Sequence, residues 1–200
     1  MKTWFVTIAG ASGSVYGLRL IEQLLSSGDA VTLVVAKAGR EAMVSEAGLA
    51  LPDAPAAASA SLLRFLELPA TMPLEITAED DPSDPTVSDS PRTEGMIVCP
   101  ASMSFCGAVS AGLAPGLPER VADFMLKERR PLVLVFRETP LSLVHLRNLT
   151  ALAEAGAVVI PASPAFHGKP SGIDDLVDFV VGKVLDQVGV EHHLFRGRTG

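Results

Sequence analysis

Short apolar runs alternate along the chain with longer segments in which apolar residues recur every three or four positions. The runs are typical of strands buried on both faces of a sheet, and the longer segments are typical of helices with one apolar face. The predicted strands span residues 3–9, 30–36, 95–99, 131–136 and 157–161. The predicted helices span residues 14–27, 38–48, 102–111, 118–130, 141–155 and 172–189. We expect the last helix to be capped by Ser171 and to end at Gly189. Strands that alternate with helices indicate an α/β fold in which helices cover both faces of a mostly parallel sheet.

Residues 51–94 interrupt this alternation, because runs of Ala and Ser are followed there by an acidic, proline-rich stretch. We expect a helix near 60–67, a short strand near 74–77 and a flexible acidic loop over 78–94. The region is predicted to be a variable insertion within one domain that spans residues 1–200.

Composition narrows the class of protein. Hydrophobic residues make up 48% of the 200 residues and the mean hydropathy is +0.35. Even so, no apolar run reaches the roughly 20 residues that a membrane helix needs. The N-terminus enters a strand at once and lacks the features of a signal peptide. The net charge of −7 argues against general nucleic-acid binding. Cys99 and Cys106 fit neither a disulfide framework nor a C-x-x-C site. We therefore predict a cytoplasmic protein with no membrane span and no nucleic-acid partner.

A turn of small residues, Gly10 to Gly13, follows the first predicted strand and opens the first predicted helix. Small residues let backbone N–H groups come close to a ligand, and a helix N-terminus favours negative charge. The turn therefore predicts a phosphate site. The spacing of Gly10, Gly13 and Gly17 is not that of the dinucleotide-binding G-x-G-x-x-G motif, so a tight turn without a ligand is the alternative.

Polar or small residues follow four of the predicted strands, at residues 10–14, 36–38, 100–104 and 137–140. Since ligands of open parallel sheets bind at the carboxyl ends of the strands, these segments predict one shared crevice. Arg137 can hold a phosphate with two parallel hydrogen bonds, and a carboxylic acid beside it can deliver a proton. A structural ion pair between Arg137 and its neighbour is the alternative.

Several motifs together resemble the flavin prenyltransferases of the UbiX type. These motifs are GASG-x-x-Y-G at 10–17, P-x-S at 100–102, ER-x-AD at 119–123, LKERRPLVL at 126–134 and RETP at 137–140. The resemblance covers essentially the whole chain and is weakest over 51–94. It implies a flavodoxin-like or Rossmann-like three-layer fold. It also implies a large symmetric homo-oligomer, typically a dodecamer, with active sites at subunit contacts.

The resemblance further implies a reaction that needs no metal. Reduced FMN is the acceptor, and a dimethylallyl group passes from dimethylallyl phosphate to the flavin N5 and C6. The product, prenylated FMN, is the cofactor of UbiD-type decarboxylases. A separate flavin reductase is implied because the flavin must be reduced.

The same resemblance assigns roles to individual residues. The cofactor-binding positions are Gly10, Ala11, Ser12, Ala36, Ser102, Met103, Ser104, Phe105, Arg120 and Arg137. Lys127 matches a lysine that contacts the leaving phosphate, and Glu138 matches the acid near that phosphate. Glu46 matches a glutamate that a neighbouring subunit lends, and it is expected to assist proton removal through Ser12. On its own, a basic helix end at Lys127 equally fits a complement to the helix dipole.

Four positions depart from the family pattern. Ala36 stands where a serine usually reaches FMN, and Phe105, where threonine is usual, is expected to pack on the flavin or narrow the site. His167 replaces a phosphate-binding tyrosine, and Lys183 replaces its arginine partner. Lysine keeps the charge but loses the planar fork of arginine. The paired changes point to an altered substrate or weaker activity, and an incidental loop histidine is the alternative.

Two other functions stay open at this point. One is a related flavoprotein that oxidatively decarboxylates a C-terminal cysteine, and it is disfavoured because the LKERRPLVL and RETP motifs belong to the prenyltransferase pattern. The other is a non-catalytic FMN-binding partner of a decarboxylase. The tail pair His192 and His193 is expected to be exposed and without a role in metal binding.

Overall fold

A single parallel sheet forms the centre of the molecule. The structure is a computed structural model that describes residues 1–79 and 93–195. The strands are β1 (Thr3–Ile8), β2 (Ala30–Val35), β3 (Leu74–Thr77), β4 (Gly95–Ala101), β5 (Leu132–Phe136) and β6 (Val158–Pro161). Their order in space is β3-β2-β1-β4-β5-β6, and every neighbouring pair is parallel. This is the strand order of a Rossmann-type doubly wound fold, whose direction of progression reverses between β1 and β4.

Helices cover both faces of the sheet. They are α1 (Ser14–Ser26), α2 (Lys37–Ala47), α3 (Pro55–Phe65), α4 (Met103–Ser110), α5 (Leu117–Lys127), α6 (Leu143–Glu154) and α7 (Ile173–Val188). Buried residues of α1, α2, α3 and α7 join one hydrophobic cluster, and those of α4, α5 and α6 join another. The three-layer α/β architecture is therefore confirmed. Within the part of the chain that the structure describes, no helix is both long and apolar enough to cross a bilayer.

The strands contribute side chains to both clusters, because successive side chains of a strand point to opposite faces of the sheet. Along β1, Trp4 and Val6 belong to one cluster and Phe5 to the other. The same alternation holds in β5, where Val133 faces one layer and Leu134 faces the second. A sheet buried on both faces explains why the central strands read as continuous apolar runs.

The predicted elements agree with the structure to within a few residues, with two differences. The helix expected near 60–67 begins earlier, at Pro55, a residue favoured in the first turn of a helix. The cap of α7 is Gly172 and not Ser171, which instead donates from its backbone N–H and hydroxyl to Asp175. Gly189 does end α7, in the left-handed conformation that glycine adopts without strain.

Residues 51–79 are part of the fold itself. Ala58 and Leu62 of α3 are fully buried in the hydrophobic cluster that also contains residues of α1, α2 and α7. The strand β3 pairs with β2 and is an edge strand of the sheet. The strand predicted near 74–77 is confirmed. The acidic loop predicted over 78–94 falls mostly on residues 80–92, which lie outside the described residues.

Candidate functional site

The turn after β1 lies at the carboxyl edge of the sheet, beside the point where the strand order reverses. Gly10 has φ of 90° and Gly13 has φ of 107°, values that favour glycine. A Cβ atom on Gly10 would press on Ala38, and one on Gly39 would clash with the carbonyl oxygen of Ile8. Because Gly10 and Gly39 have no Cβ, the start of α2 can lie directly against the turn.

The side chain of Glu46, near the end of α2, reaches the N-terminus of α1 in the same chain. Its carboxylate accepts hydrogen bonds from the backbone N–H of Gly13 at 3.0 Å and of Ser14 at 2.8 Å, and from the Ser14 hydroxyl at 2.8 Å. The structure thus corrects the expectation of a phosphate at this helix N-terminus, because a carboxylate of the chain itself already lies there. Glu46 also reaches this turn without a neighbouring subunit.

These contacts set the charge of Glu46. Burial acts to raise its pKa, but the hydroxyls of Ser14 and Ser12 and the backbone N–H groups of Ser14 and Gly13 outweigh burial and hold the pKa below 4.5. The carboxylate is therefore ionised at neutral pH, and it complements the positive end of the α1 dipole.

Arg137 and Glu138 follow β5 at the same edge. The Nε of Arg137 donates to the carbonyl oxygen of Ser12 at 2.9 Å, which ties the end of β5 to the first turn. Among the residues that the structure describes, Glu138 accepts only from the backbone N–H of Thr139, at 3.2 Å. The ion pairs formed among residues 1–79 and 93–195 include none between Arg137 and Glu138, so the structural ion pair is not observed. Both side chains keep hydrogen-bonding capacity for a ligand.

The segment after β4 begins α4 with a capped turn. Ser102 is the N-cap, and its hydroxyl accepts from the backbone N–H of Phe105 at 3.2 Å and lies 2.9 Å from the Ser104 hydroxyl. Met103 is partly buried beside the second cluster. The Phe105 side chain is only 4% exposed within that cluster. The expectation that this ring packs on a flavin is therefore corrected, because protein atoms already cover it.

Arg120 carries buried hydrogen-bond donors that have no partner. Its Nε and Nη2 atoms are inaccessible to solvent and donate to nothing in the described part of the chain. Leaving a buried charged donor unpaired is costly, so these donors need an acceptor, which an ordered water or a bound ligand can supply. Arg120 lies one turn into α5, which starts near the carboxyl edge. Only the ER-x-AD motif indicated this residue from sequence.

Ala36 directly follows β2 and serves as the N-cap of α2. No side chain caps this helix N-terminus, because alanine has no acceptor. Because Ala36 has no hydroxyl, the backbone N–H groups in the first turn of α2 are the polar groups at the end of β2.

Lys127 lies at the opposite edge of the sheet, beside the amino ends of the strands (the amino edge). It ends α5, just before β5 begins at Leu132, whereas Arg137 follows the last residue of that strand. The five residues of β5 separate the two ends by about 16 Å. Lys127 is 67% exposed and pairs at 3.9 Å with Asp123. The expectation that Lys127 and Arg137 contact one phosphate is therefore not met within a single chain.

In the described part of the chain, His167 and Lys183 are linked only through aromatic rings. The His167 ring meets Phe179 edge-on at 6.0 Å. Lys183 Nζ lies 5.9 Å from the centre of the same ring and 4.6 Å from that of Phe195, and it pairs with Asp186 at 3.1 Å. The two predicted phosphate ligands share a neighbourhood but do not touch.

Sequence reasoning missed the aromatic side chains of this neighbourhood. Phe179 lies on α7 beside the apolar stripe and is partly buried, and Phe195 lies in the tail. The His192 side chain in the same tail is only 8% exposed, which corrects the expectation of an exposed histidine. The available signal was Gly182, a glycine inside a long helix, which often marks a close approach. A Cβ on Gly182 would clash with the Phe195 ring.

Comparisons with known proteins identify the family and agree with the fold. Residues 1–185 match the family described as Flavoprotein. A flavin prenyltransferase UbiX of Pseudomonas aeruginosa is 40% identical over 92% of this chain and 88% of its own. The crystal structure of AnUbiX (PadA1) in complex with FMN and dimethylallyl pyrophosphate is 34% identical. It covers 100% of this chain and 98% of its own, with a TM-score of 0.87.

A second solved structure is the dodecameric FMN-dependent Ubix-like decarboxylase of Escherichia coli O157:H7. It is 35% identical, covers 99% of this chain and 100% of its own, and has a TM-score of 0.86. The site thus lies in a flavin-binding α/β domain. Within that class, the chain belongs to the flavin prenyltransferase family of UbiX.

Proposed function

We propose that the protein is a flavin prenyltransferase that transfers a dimethylallyl group from dimethylallyl phosphate to reduced FMN. The observation that carries the proposal is the position of Arg137 and Glu138 at the carboxyl end of β5, against the turn at Ser12. In this proposal, Arg137 serves as the phosphate ligand and Glu138 as the proton donor, and their shared position at the ligand edge of the sheet supports both roles.

The residues present fit FMN. Arg120 has two buried donors that lack an acceptor, and a flavin phosphate or ring carbonyl supplies one. The uncapped start of α2 at Ala36 and the Ser102 to Ser104 turn add polar backbone along the same edge. When bound in its reduced form, the flavin supplies the nucleophilic atoms N5 and C6.

The residues of the chain act on the donor phosphate. Cleavage of the allylic C–O bond leaves negative charge on the phosphate and positive charge on the allyl group. Arg137 uses its Nε to hold Ser12, so its two terminal nitrogens stay available to stabilise that phosphate. Glu138 then acts as the general acid and donates a proton to the departing oxygen.

Glu46 orients the first turn for the proton steps. Its ionised carboxylate fixes the backbone of Gly13 and Ser14 and interacts with the Ser12 hydroxyl. The Ser12 hydroxyl accepts the proton that ring closure releases and passes its own proton to the Glu46 carboxylate, to which it is hydrogen-bonded. In this proposal, Glu46 therefore both fixes the turn and takes up the proton.

A second copy of the chain completes the donor site in this proposal. Lys127 is exposed at the amino edge, too far from Arg137 of its own chain to share a ligand. Assembly that brings an amino edge of one copy to a carboxyl edge of another supplies the lysine, and a related structure is described as dodecameric. We further propose a cytoplasmic location, a UbiD-type decarboxylase as recipient of prenylated FMN, and a flavin reductase as the source of reducing equivalents.

The test uses the purified protein with reduced FMN under anaerobic conditions. Separate reactions receive dimethylallyl phosphate or dimethylallyl diphosphate, and a reaction with oxidised FMN is the control. We expect a flavin heavier by one five-carbon unit, detected by mass spectrometry, in the reduced reactions only. Unchanged flavin with both donors, together with tight FMN binding, would instead identify a non-catalytic FMN-binding protein.

A further inference from the structure

The ring of Tyr16, in the first turn of α1, lies against Gly13 and close to Arg137. A Cβ atom on Gly13 would lie 2.9 Å from Cδ2 and 3.1 Å from Cε2 of Tyr16, and 4.0 Å from Cγ of Arg137. The absence of that Cβ therefore makes room for the tyrosine ring. Since the Nε of Arg137 also donates to the carbonyl oxygen of Ser12, the two side chains lie against the same turn at the carboxyl edge of the sheet.

The hydroxyl of Tyr16 has no partner, although its ring is packed. The ring is partly buried beside the hydrophobic cluster that contains residues of α1, α2, α3 and α7. Among residues 1–79 and 93–195, the hydroxyl forms no hydrogen bond. The O–H group of a buried tyrosine usually finds a hydrogen-bond partner. The Tyr16 hydroxyl is therefore available to a ligand that binds at this edge.

The surroundings of Tyr16 keep this hydroxyl protonated. Burial raises the pKa of Tyr16 above its ordinary value of 10, and the neighbouring Cys99 adds to the increase. The positive charge of Arg137 acts in the opposite direction but does not outweigh burial. At neutral pH, the O–H group can therefore donate a hydrogen bond and brings no negative charge to the site.

An anion beside this turn has to be bound by side chains. The N-terminus of a helix often binds a phosphate, but here the Glu46 carboxylate already accepts from the backbone N–H groups of Gly13 and Ser14. The terminal nitrogens of Arg137 and the hydroxyl of Tyr16 are the donors that stay available next to them. A guanidinium and a hydroxyl together suit a phosphate monoester, whose charged oxygens accept several hydrogen bonds.

We infer that Tyr16 binds the phosphate of the allyl donor together with Arg137. The inference rests on the proposed function and adds a phosphate ligand to it. When the allylic C–O bond breaks, the phosphate gains negative charge, so the hydrogen bond from Tyr16 becomes stronger. Tyr16 keeps its own proton, because the proton for the departing oxygen comes from Glu138. FMN carries the other phosphate monoester that this site meets, and the experiment distinguishes the two.

The test removes the hydroxyl and keeps the ring, in the variant Tyr16→Phe. Thr150→Val is the matched control, because it removes a hydroxyl that donates to the carbonyl oxygen of Leu146 on the exposed face of α6. Calorimetry with oxidised FMN bound gives the Kd of dimethylallyl phosphate without turnover. Quenching of flavin fluorescence gives the Kd of FMN, and mass spectrometry follows the prenylation of reduced FMN.

Tyr16→Phe should raise the Kd of dimethylallyl phosphate by about tenfold, the effect of losing one hydrogen bond to a charged acceptor. We expect the Kd of FMN to stay unchanged, and Thr150→Val to match wild type for both ligands. A weaker affinity for FMN alone would assign the hydroxyl to the FMN phosphate and overturn the inference, as would unchanged values for both ligands. If Tyr16→Phe weakens donor binding but wild type does not prenylate FMN, the proposed function fails and the inference on binding holds.

A second measurement needs no variant. Tyr16 is the only tyrosine of the chain, so protein labelled with 3-fluorotyrosine gives a single ¹⁹F resonance. With FMN bound, this resonance should shift when dimethylallyl phosphate is added and stay in place with dimethylallyl alcohol, which lacks the phosphate. A resonance that does not move with saturating dimethylallyl phosphate, or that moves equally with the alcohol, overturns the inference.

Discussion

The contact between Glu46 and the start of α1 yields a quantitative prediction for Glu46→Gln. The substitution keeps the size of the side chain but removes its charge. The three donors that lie 2.8–3.0 Å from the carboxylate then face a neutral amide: the N–H groups of Gly13 and Ser14 and the Ser14 hydroxyl. The structure therefore predicts a loss of stability with little change in packing.

The magnitude follows from the hydrogen bonds. A bond to a charged acceptor contributes about 1.5–3 kcal/mol and a neutral one about 0.5–1.5 kcal/mol, so each of three donors loses about 1 kcal/mol. Glu46 is exposed, and solvent screening reduces such energies by about half. The net loss is about 1–2 kcal/mol, which lowers the Tm of a chain of this size by about 2–8 °C.

The effect should depend on pH with a defined sign. The native pKa of Glu46 is lowered, because hydrogen bonds to the carboxylate outweigh burial. Its stabilisation is therefore fully present above the ordinary value of 4.5 and is lost as pH falls through the lower native pKa. The difference in Tm between wild type and Glu46→Gln should shrink from pH 7 toward pH 4 and below.

The assay is thermal unfolding followed by circular dichroism at matched protein concentration. Glu41→Gln is the control, because Glu41 is exposed on the same helix and has no hydrogen bond within the described residues. It should melt with wild type across the range. If Glu46→Gln also melts within about 1 °C of wild type at pH 7, the carboxylate does not hold the turn and the reasoning is refuted.

Two further substitutions test the site and the frame around it. Glu138→Gln should leave FMN binding unchanged and slow prenyl transfer by about 100-fold, which is the usual size of a general-acid effect. Equal losses of FMN affinity and turnover would show that Glu138 has a structural role instead. Arg19→Ala should destabilise the protein by about 1–2 kcal/mol in urea unfolding. Its guanidinium joins α1 to α7 through Asp178 at 2.7 Å, and the Asp178 side chain is only 18% exposed, so the variant strands a largely buried charge. Asp178→Asn should cost less, and equal stability of Arg19→Ala and wild type would show that the pair contributes nothing.

Much of the local structure was predictable because its causes lie within a few residues. Apolar periodicity identified the strands and helices, including the short β3 at Leu74–Thr77. Gly189 predicted the end of α7, because glycine adopts the left-handed conformation of a helix C-cap without strain. The turn at Gly10 and Gly13 was equally predictable, since glycine adopts positive φ values without the strain that a Cβ causes. These features depend on backbone conformation and short-range patterning, which sequence carries directly.

The tertiary structure alone decided how the site is filled. The carboxylate that occupies the N-terminus of α1 comes from Glu46, 33 positions from Gly13, and only the packing of α2 brings it there. Lys127 and Arg137 are ten positions apart but lie at opposite ends of β5, because a strand is extended. The Phe105 ring is buried in the core instead of contacting a ligand, and the Phe195 ring packs directly against Gly182. Such pairings depend on which surfaces meet when the layers pack, and no local pattern encodes that.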